Sequence, residues 1–346
     1  MLRNPDHVTI TVTDTASAVE FFALLGFRKE RVARIDDGSP AQYMGMKDMV
    51  APRGDHPRAR AVGRHEQRPA LNVPASSARL VIAVTAVSNA DATAVAATWR
   101  SLDDVRVDIV GWPPDLATAA RAHLLVGVES GIGAPVDHDA IDVWTDVDGA
   151  RHLCQSRLVP FRDNLVANRR APRRRVAELA GPDPDWATTA RRLIARLERV
   201  LGEAALRIDH IGSTSVPGLP AKDLIDIQVV VPDLDVADHV AAHARDAGFV
   251  RVPGRWTGPD RHGTAFDEVV LVDADPGRPV NVNLRAVGDP VWRETLLFRE
   301  WLISDPVNRD RYLAFKQHLI ETNDHVDAYS AGKRQWIGDA LERAPE

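Results

Sequence analysis

The chain has 346 residues, 45% of them hydrophobic, and a formal net charge of -6. Such a length supports two or three packed domains, and the acidic balance argues against a general nucleic-acid binder. No apolar run approaches the roughly 20 residues that cross a bilayer, so we expect no membrane association. The single Cys154 excludes an internal disulfide framework, and the N-terminus lacks a signal-peptide pattern, so we expect a cytoplasmic location.

The first fifty residues predict a strand, a helix and a second strand. Apolar residues alternate over 6–13 and recur at helical spacing over 16–25, and Gly26 then stops the helix. This segment resembles the first module of the glyoxalase, bleomycin-resistance and extradiol-dioxygenase group, where a His at the start of the first strand is a common metal ligand. His7 occupies that position, but we favour a structural role because we identify no further converging ligands. Residues 51–73, rich in Pro and Arg, predict a linker.

Residues 74–165 predict a small α/β domain. A buried strand over 78–85, an Ala-rich helix over 91–99 and a strand over 105–110 indicate a β-α-β unit, and residues 117–128 repeat the pattern. The stretch 141–165 resembles the tail of a dephospho-coenzyme A kinase where actinobacterial forms join a GrpB domain. No Gly-x-x-x-x-Gly-Lys-Ser/Thr loop occurs in the chain, so we do not expect kinase activity. Two hypotheses remain for this domain: it is either a degenerate remnant of a kinase fusion or an unrelated spacer.

A basic run separates this domain from the C-terminal part. Residues 166–182 contain two prolines, Pro172 and Pro182, and five closely spaced arginines, namely Arg169, Arg170, Arg173, Arg174 and Arg175. Prolines and like charges are typical of an extended connection. We therefore predict a solvated linker rather than a docking patch.

The C-terminal region, residues 183–346, carries the strongest functional signal. A helix beginning at Trp186 has one apolar face, with Trp186 expected as a core anchor. A small-residue turn follows, in which Gly212, Ser213, Thr214 and Ser215 offer N–H groups and hydroxyls to a phosphate. The next strand, residues 224–231, places Asp226 and Gln228 on one face. Lys222 and Arg285 are candidates to balance phosphate charge, each weighed against simple surface or structural roles.

The ordered motifs of this region resemble the GrpB family, from Asp183-Pro-Asp-Trp186 through His210-Ile-Gly-Ser-Thr-Ser-Val-Pro-Gly-Leu-Pro-Ala-Lys222 to Trp292 and Lys333. That family resembles the nucleotidyltransferase superfamily, whose signature is Gly-Ser followed by a strand with two carboxylates that hold divalent ions. Gly212, Ser213 and Asp226 match this signature. Gln228 replaces the second carboxylate, and Asn283 stands on the later strand that supplies a third ligand. The resemblance implies that Asp226, Gln228 and Asn283 bind Mg²⁺ or Mn²⁺. Neutral amides bind such hard cations weakly. We therefore expect the site to bind a phosphate compound rather than to catalyse nucleotidyl transfer.

Three helices are predicted after the last strand, over 292–303, 306–320 and 327–341, and they should cover one face of the sheet. Asp305 is predicted as the N-cap of the second of these helices, and Pro306 as its first helical residue. Tyr312, Lys316, Tyr329 and Lys333 recur at helical spacing. They either line a cleft or serve packing.

The expected fold class is a multidomain α/β and α+β protein with a C-terminal nucleotidyltransferase-like mixed sheet and covering helices. The leading hypothesis is a protein that binds a nucleotide or another small phosphate compound with a divalent metal. One alternative is a non-catalytic accessory or folding module, related to the C-terminal domain of dephospho-coenzyme A kinase. Another is a metal-dependent lyase or resistance protein of the glyoxalase group. The sequence identifies no protein partner.

Overall fold

A computed structural model describes residues 79–129, 139–173, 178–254, 256–322 and 326–342, which lie within one compact unit. The predicted glyoxalase-like half module with His7 and the predicted linker over 51–73 lie outside the described residues. In the described part of the chain, no helix is both long enough and apolar enough to cross a membrane.

A four-stranded parallel sheet forms the first half of this unit, in the order β2-β1-β3-β4. Its elements are β1 (Leu80–Ala86), α1 (Asn89–Trp99), β2 (Val105–Ile109), α2 (Leu116–Ala119), β3 (Leu124–Val128) and β4 (Val143–Thr145). The elements from β1 to β3 match the predicted β-α-β unit and its repeat, whereas β4 was not predicted. Almost every residue of β1 and β3 is buried, as expected for parallel strands that are covered on both faces.

A continuous helical segment then crosses from the first sheet to the second. It consists of α3 (Ala150–Leu153), a π-helical turn (Cys154–Leu158) and α4 (Val159–Val166). Arg157 binds Asp275 through two hydrogen bonds of 2.9 and 2.7 Å, and Asn164 Nδ2 donates to the carbonyl of Ala274 at 2.9 Å. The segment therefore joins both sheets into one body.

Arg169 and Arg170 are exposed, as predicted for a solvated linker, but Ala171 and Arg173 lie against the second sheet, which the prediction did not include. Arg173 donates to Asn281 Oδ1 at 2.7 Å and also binds the carboxylate of Asp273 and the carbonyl of Val280. Asp273 is buried, and an unpaired buried carboxylate is costly, so a cation is required at this place. Arg174 and Arg175 lie outside the described residues.

The second sheet is mixed, with the order β5-β6-β10-β9-β7 and with β8 paired to β9. Its strands are β5 (Arg207–Ile211), β6 (Ile225–Val231), β7 (Phe249–Arg251), β8 (Trp256–Pro259), β9 (Ala265–Asp273) and β10 (Val280–Ala286). β10 runs parallel to β6, and the other pairs are antiparallel. This arrangement confirms the predicted mixed sheet.

The two faces of the second sheet differ in chemistry because its central strands alternate apolar and polar residues. One face packs its apolar side chains against α5 (Asp185–Leu201) and α6 (Ala237–Ala244). Trp186 is buried in this core, and its indole donates to Asp223 at 2.9 Å, which confirms it as an anchor. The opposite face carries the polar positions of β6 and β10, including Asp226 beside Asn281 and Gln228 beside Asn283.

Three helices cover the polar side, as predicted. They are α7 (Val291–Ser304), α8 (Pro306–Thr322) and α9 (Val326–Leu341). Phe298, Tyr312 and Trp336 pack their rings together where the three helices meet. Asp305 accepts a hydrogen bond from the N–H of Val307 at 2.8 Å, which confirms the predicted cap. A polar sheet face thus meets an aromatic helical layer.

Candidate functional site

A cavity of about 260 Å³ lies between the Gly-Ser turn, the polar face of the second sheet and the C-terminal helices. Gly212, Ser213 and Asp226 form one side of it. The β8-β9 hairpin and α7 form another side, and residues of α8 and α9 complete the wall. Arg285 lines the cavity as well, so four of the predicted site residues meet at one place.

Gly212 is required by its backbone and by its neighbour. Its φ of +74° lies in the left-handed region that L side chains rarely adopt. A β-carbon at this position would stand 2.6 Å from Asp226 Oδ2, closer than any real contact. The absence of a side chain lets the turn and the carboxylate share the floor of the cavity.

The three hydroxyl residues after Gly212 have different surroundings. Ser213 lines the cavity, and its Oγ is buried with no hydrogen-bond partner among the described residues. Thr214 instead donates to the carbonyl of Leu224 at 3.2 Å, and Ser215 donates to the carbonyl of Gly212 at 2.6 Å. Only the Ser213 hydroxyl of these three described side chains lines the cavity.

His210 supports this turn rather than the cavity. Its Nε2 lies 3.0 Å from Thr214 Oγ1. Burial, reinforced by the charge of Arg299, lowers the pKa of His210 to about 4. The imidazole is therefore neutral near pH 7, which fits the structural role expected from the sequence.

Asp226 is held by an amide and not by a cation within the described part of the chain. Asn281, its neighbour on β10, donates from Nδ2 to Asp226 Oδ1 at 2.9 Å. The other oxygen, Oδ2, faces Gly212. No salt bridge joins Asp226 to a described arginine or lysine, so its carboxylate reaches the cavity with an amide as its partner and without a paired cation in this part of the chain.

The arginines that line the cavity are each engaged with acidic neighbours. Arg285 is buried and binds Glu268 and Asp289, the latter at 2.9 Å. Arg299 binds Glu300 at 2.7 Å and donates to the carbonyl of His210 at 2.8 Å. Because these charges are already balanced, Arg285 is fixed as part of the wall and offers less attraction to a phosphate than an unpaired arginine would.

The β8-β9 hairpin is joined to α7 by one two-point contact. Arg261 donates to Glu294 through its backbone N–H and its Nε, both at 3.0 Å. Glu294 is buried, and both residues line the cavity. Directional contacts of this kind fix the position of the hairpin over the cavity.

The far wall of the cavity is apolar and aromatic, with two lysines close to it. Tyr312 and Lys333 line it, which agrees with the cleft-lining alternative predicted from their helical spacing. The side chain of Tyr329 lies outside the described residues. Lys316 is fully buried, donates to the carbonyl of Pro220 and lies 4.9 Å from the centre of the Tyr312 ring. Burial first, and the charge of Lys333 second, lower the pKa of Lys316 to about 7.

Three other predicted site residues do not line the cavity. Gln228 is fully buried, and its Nε2 donates to Asp209 and to the carbonyl of Trp292, each at 3.2 Å. Asn283 stands beside Gln228 on the same face, and Lys222 precedes β6. Alternation along β6 and β10 put Gln228 and Asn283 on the same face as Asp226, but neither residue is among those that line the cavity.

The donor set does not fit a resident metal ion. Among the residues that the structure describes, no group of three or more His, Cys, Asp or Glu side chains could hold one. Of the predicted ligands Asp226, Gln228 and Asn283, only Asp226 lines the cavity. One carboxylate does not build the charged oxygen cage that Mg²⁺ or Mn²⁺ needs from a protein alone.

Some residues of the site were not singled out from the sequence. Asn281 shares its face with Asn283 by strand alternation, so the same argument applied to β10 identifies it. Glu294, Arg299 and Phe298 reach the cavity only because α7 packs over the sheet. The sequence predicts that this helix covers one face of the sheet, but no local pattern indicates which of its side chains reach the cavity.

Comparison with known proteins assigns the C-terminal part of the chain to a protein family. Residues 176–343 match the family model described as GrpB protein. A UPF0157 protein of Halalkalibacterium halodurans is 33% identical over 163 residues, which cover 47% of this chain and 79% of that protein. The chain belongs to the GrpB family. The family resemblance read from the sequence is confirmed.

Longer relatives of this GrpB-family chain are named dephospho-CoA kinase. The protein of Mycolicibacterium paratuberculosis is 38% identical over 231 residues, and that of Mycobacterium tuberculosis is 39% identical over 234 residues. Each match covers 59% of this chain and 56% of the kinase, so the chain spans about half the length of these relatives. The crystal structure of conserved protein GrpB from Enterococcus faecalis is also similar, with 24% identity, 48% coverage of this chain, 98% coverage of that chain and a TM-score of 0.39.

Proposed function

We propose that the cavity beside Asp226 binds a small phosphate compound, such as a nucleotide, that enters with its own Mg²⁺ or Mn²⁺. The observation that carries this proposal is the pairing of a carboxylate, Asp226, that forms no ion pair with a described arginine or lysine, with a buried hydroxyl, Ser213, that has no hydrogen-bond partner among the described residues. A phosphate alone would be repelled by Asp226. A divalent cation between the two anions turns that repulsion into attraction.

The coordination chemistry of Mg²⁺ supports this order of events. Mg²⁺ keeps several waters and is commonly bound through one or two carboxylates together with the phosphates of a substrate. A single protein carboxylate is then sufficient, because the ligand supplies the other charged oxygens. In this proposal Asp226 contacts the cation, and Ser213 donates to a phosphate oxygen.

The size of the cavity limits the ligand. Pockets for drug-sized molecules have volumes of roughly 300–1,000 Å³. The cavity here, at about 260 Å³, is slightly smaller. It suits a phosphate group with an attached sugar or the end of a larger nucleotide. The relatives named dephospho-CoA kinase make dephospho-coenzyme A a ligand to test.

The proposal is for binding, and nucleotidyl transfer is not included. Two-metal transfer needs carboxylates that hold both ions, and Gln228 stands where the second carboxylate is expected. A buried amide that is already hydrogen-bonded to Asp209 and Trp292 does not replace it.

Thermal stability with a ligand panel tests the proposal. The panel contains ATP, AMP and dephospho-coenzyme A, each with Mg²⁺, with Mn²⁺ and with EDTA. We expect a metal-dependent rise of several degrees for at least one compound at about a hundred times its dissociation constant, which corresponds to about 2.7 kcal/mol. Asp226→Asn should lose this rise, and Asp310→Asn, which changes an exposed carboxylate on α8, should keep it. Equal shifts in both variants would overturn the proposal.

A second candidate function is an accessory module that stabilises the parallel-sheet half. The observation in its favour is the ionic contact between the halves, in which Arg192 and Arg196 of α5 reach Asp142 beside β4. It predicts that no compound of the panel binds. It also predicts that breaking this contact unfolds the parallel sheet.

A further inference from the structure

The segment that connects the two halves of the molecule reaches the cavity through one amide. Arg173 donates from one guanidinium nitrogen to Asn281 Oδ1 at 2.7 Å. Asn281 in turn donates from Nδ2 to Asp226 Oδ1 at 2.9 Å. Three side chains thus form a directed chain from the connecting segment to the cavity.

The chemistry of the two ends fixes the orientation of the amide in the middle. A guanidinium only donates hydrogen bonds, and a carboxylate only accepts them. Asn281 must therefore turn its carbonyl toward Arg173 and its NH₂ toward Asp226. The opposite orientation would place two donors together at one end and two acceptors together at the other, so Arg173 determines what Asn281 offers to Asp226.

Arg173 is itself held firmly in place. Its guanidinium also binds the buried carboxylate of Asp273 and the carbonyl of Val280, the residue next to Asn281 on β10. The N–H of Val280 donates to the same Asp273 oxygen at 2.7 Å. Arginine suits this position because its rigid fork presents several donors at fixed angles, whereas the ammonium of lysine is a single point charge.

We propose that Arg173 is a positioning residue for Asp226: it locks the Asn281 amide so that Asp226 is held with Oδ2 against Gly212 and its free lone pairs toward the cavity. This inference rests on the proposed function. It assigns the connecting segment a role in ligand affinity, although Arg173 does not itself line the cavity.

The test uses the full chain with Mn²⁺ and ATP as the probe and isothermal titration calorimetry as the measurement. Arg173→Lys keeps a cation beside Asp273, so the fold is retained, but it loses the fork that reaches Asn281. We expect its affinity for the probe to fall about tenfold, with Asn281→Ala showing a similar loss. The double variant should be no weaker than Asn281→Ala alone, because both changes remove the same chain of contacts. Arg169→Lys, a change of the same kind on the same segment, should bind like the wild type.

A second measurement needs no ligand. The side-chain NH₂ signal of Asn281, assigned by its loss in Asn281→Ala, should exchange slowly with water in the wild type and faster in Arg173→Lys. Unchanged exchange would overturn the proposed role of Arg173, whether or not the probe binds. Additive affinity losses in the double variant, or wild-type affinity in Arg173→Lys, would also overturn it while leaving the proposed function intact. A wild type that binds neither this probe nor any other compound of the ligand panel would overturn the proposed function instead.

Discussion

Asp226 Oδ2 occupies the space that a β-carbon at position 212 would fill, since the two positions are separated by 2.6 Å. The turn that offers Ser213 and the strand that offers Asp226 are thereby held in direct contact. The geometry of the cavity floor depends on this contact, so the site is sensitive to the smallest substitution at Gly212.

Gly212→Ala should destabilise the protein through both backbone strain and this clash. Gly218→Ala is the matched control, because Gly218 has a φ of +75° but nothing within 4 Å of its β-carbon position. We expect Gly218→Ala to cost about 1 to 2 kcal/mol of unfolding free energy, the strain term alone. Gly212→Ala should cost about 1 to 3 kcal/mol more, because overpacking against Asp226 adds to the strain and because a ψ of −172° lies in a region that is essentially confined to glycine. Urea unfolding measures both, and equal losses would contradict the close contact.

Lys316 should make the free energy of unfolding depend on pH above about pH 7. Its pKa is lowered from 10.5 to about 7 in the folded protein, so between these values the unfolded chain binds one more proton. The free energy of unfolding should therefore rise with pH across this window, by at most about 1.4 kcal/mol per pH unit. Lys316→Met should lack that rise. Denaturant unfolding of both proteins from pH 7 to pH 10 measures the difference, and a difference that stays constant would refute the assignment.

His123 should make the free energy of unfolding depend on pH below about pH 6.5. Its Nδ1 accepts from the N–H of Val81 at 2.9 Å, and its Nε2 lies 3.0 Å from the carbonyl of Arg245, so the neutral ring bridges the two halves. Burial lowers the pKa of His123 from 6.5 to about 4, and the unfolded chain binds more protons between these values. Stability should fall as the pH drops through this window. His123→Leu should be less stable at pH 7, and its deficit should shrink toward pH 4; a deficit independent of pH would show that His123 does not titrate in this way.

The contact of Asp142 with α5 should be important for cohesion of the two halves. The side chains of Asp142, Arg192 and Arg196 are less than a tenth exposed, and removing one partner of a buried pair costs about 3 to 5 kcal/mol. Asp142→Asn should therefore lower the free energy of unfolding by roughly that amount. Asp139→Asn breaks a half-exposed pair with Arg191 and should cost less than about 1 kcal/mol. Similar losses in the two variants, followed by urea unfolding, would show that the buried pair has no special role.

The sequence allowed a correct prediction of the elements whose signals are local. Apolar runs and helical spacing predicted three of the four parallel strands, the helix at Trp186 and the three C-terminal helices, but not β4. Strand alternation placed Asp226 on the polar face of the sheet. Each of these features depends on residues within one element, and the periodicity of that element reveals them.

The remaining features depend on contacts between distant elements. The sequence predicts a solvated Arg173, because nothing in the segment around it indicates the buried Asp273 one hundred residues later. The position of Gln228 on its strand matches that of the second metal-binding carboxylate and so predicts a ligand, but its burial follows from the packing of α7 over it. Tertiary contacts, rather than local propensity, decide such cases.

The most direct test of the proposed site is to locate the cation. Mn²⁺ broadens the NMR signals of nearby nuclei, so titration of Mn²⁺ into the ¹⁵N-labelled protein, with and without ATP, reports where the ion binds. We predict that the backbone signals of Gly212 and Ser213 broaden first, that ATP enhances the effect, and that Asp226→Asn abolishes it. Broadening that begins elsewhere, or that is the same in Asp226→Asn, would contradict a metal-phosphate site beside Asp226.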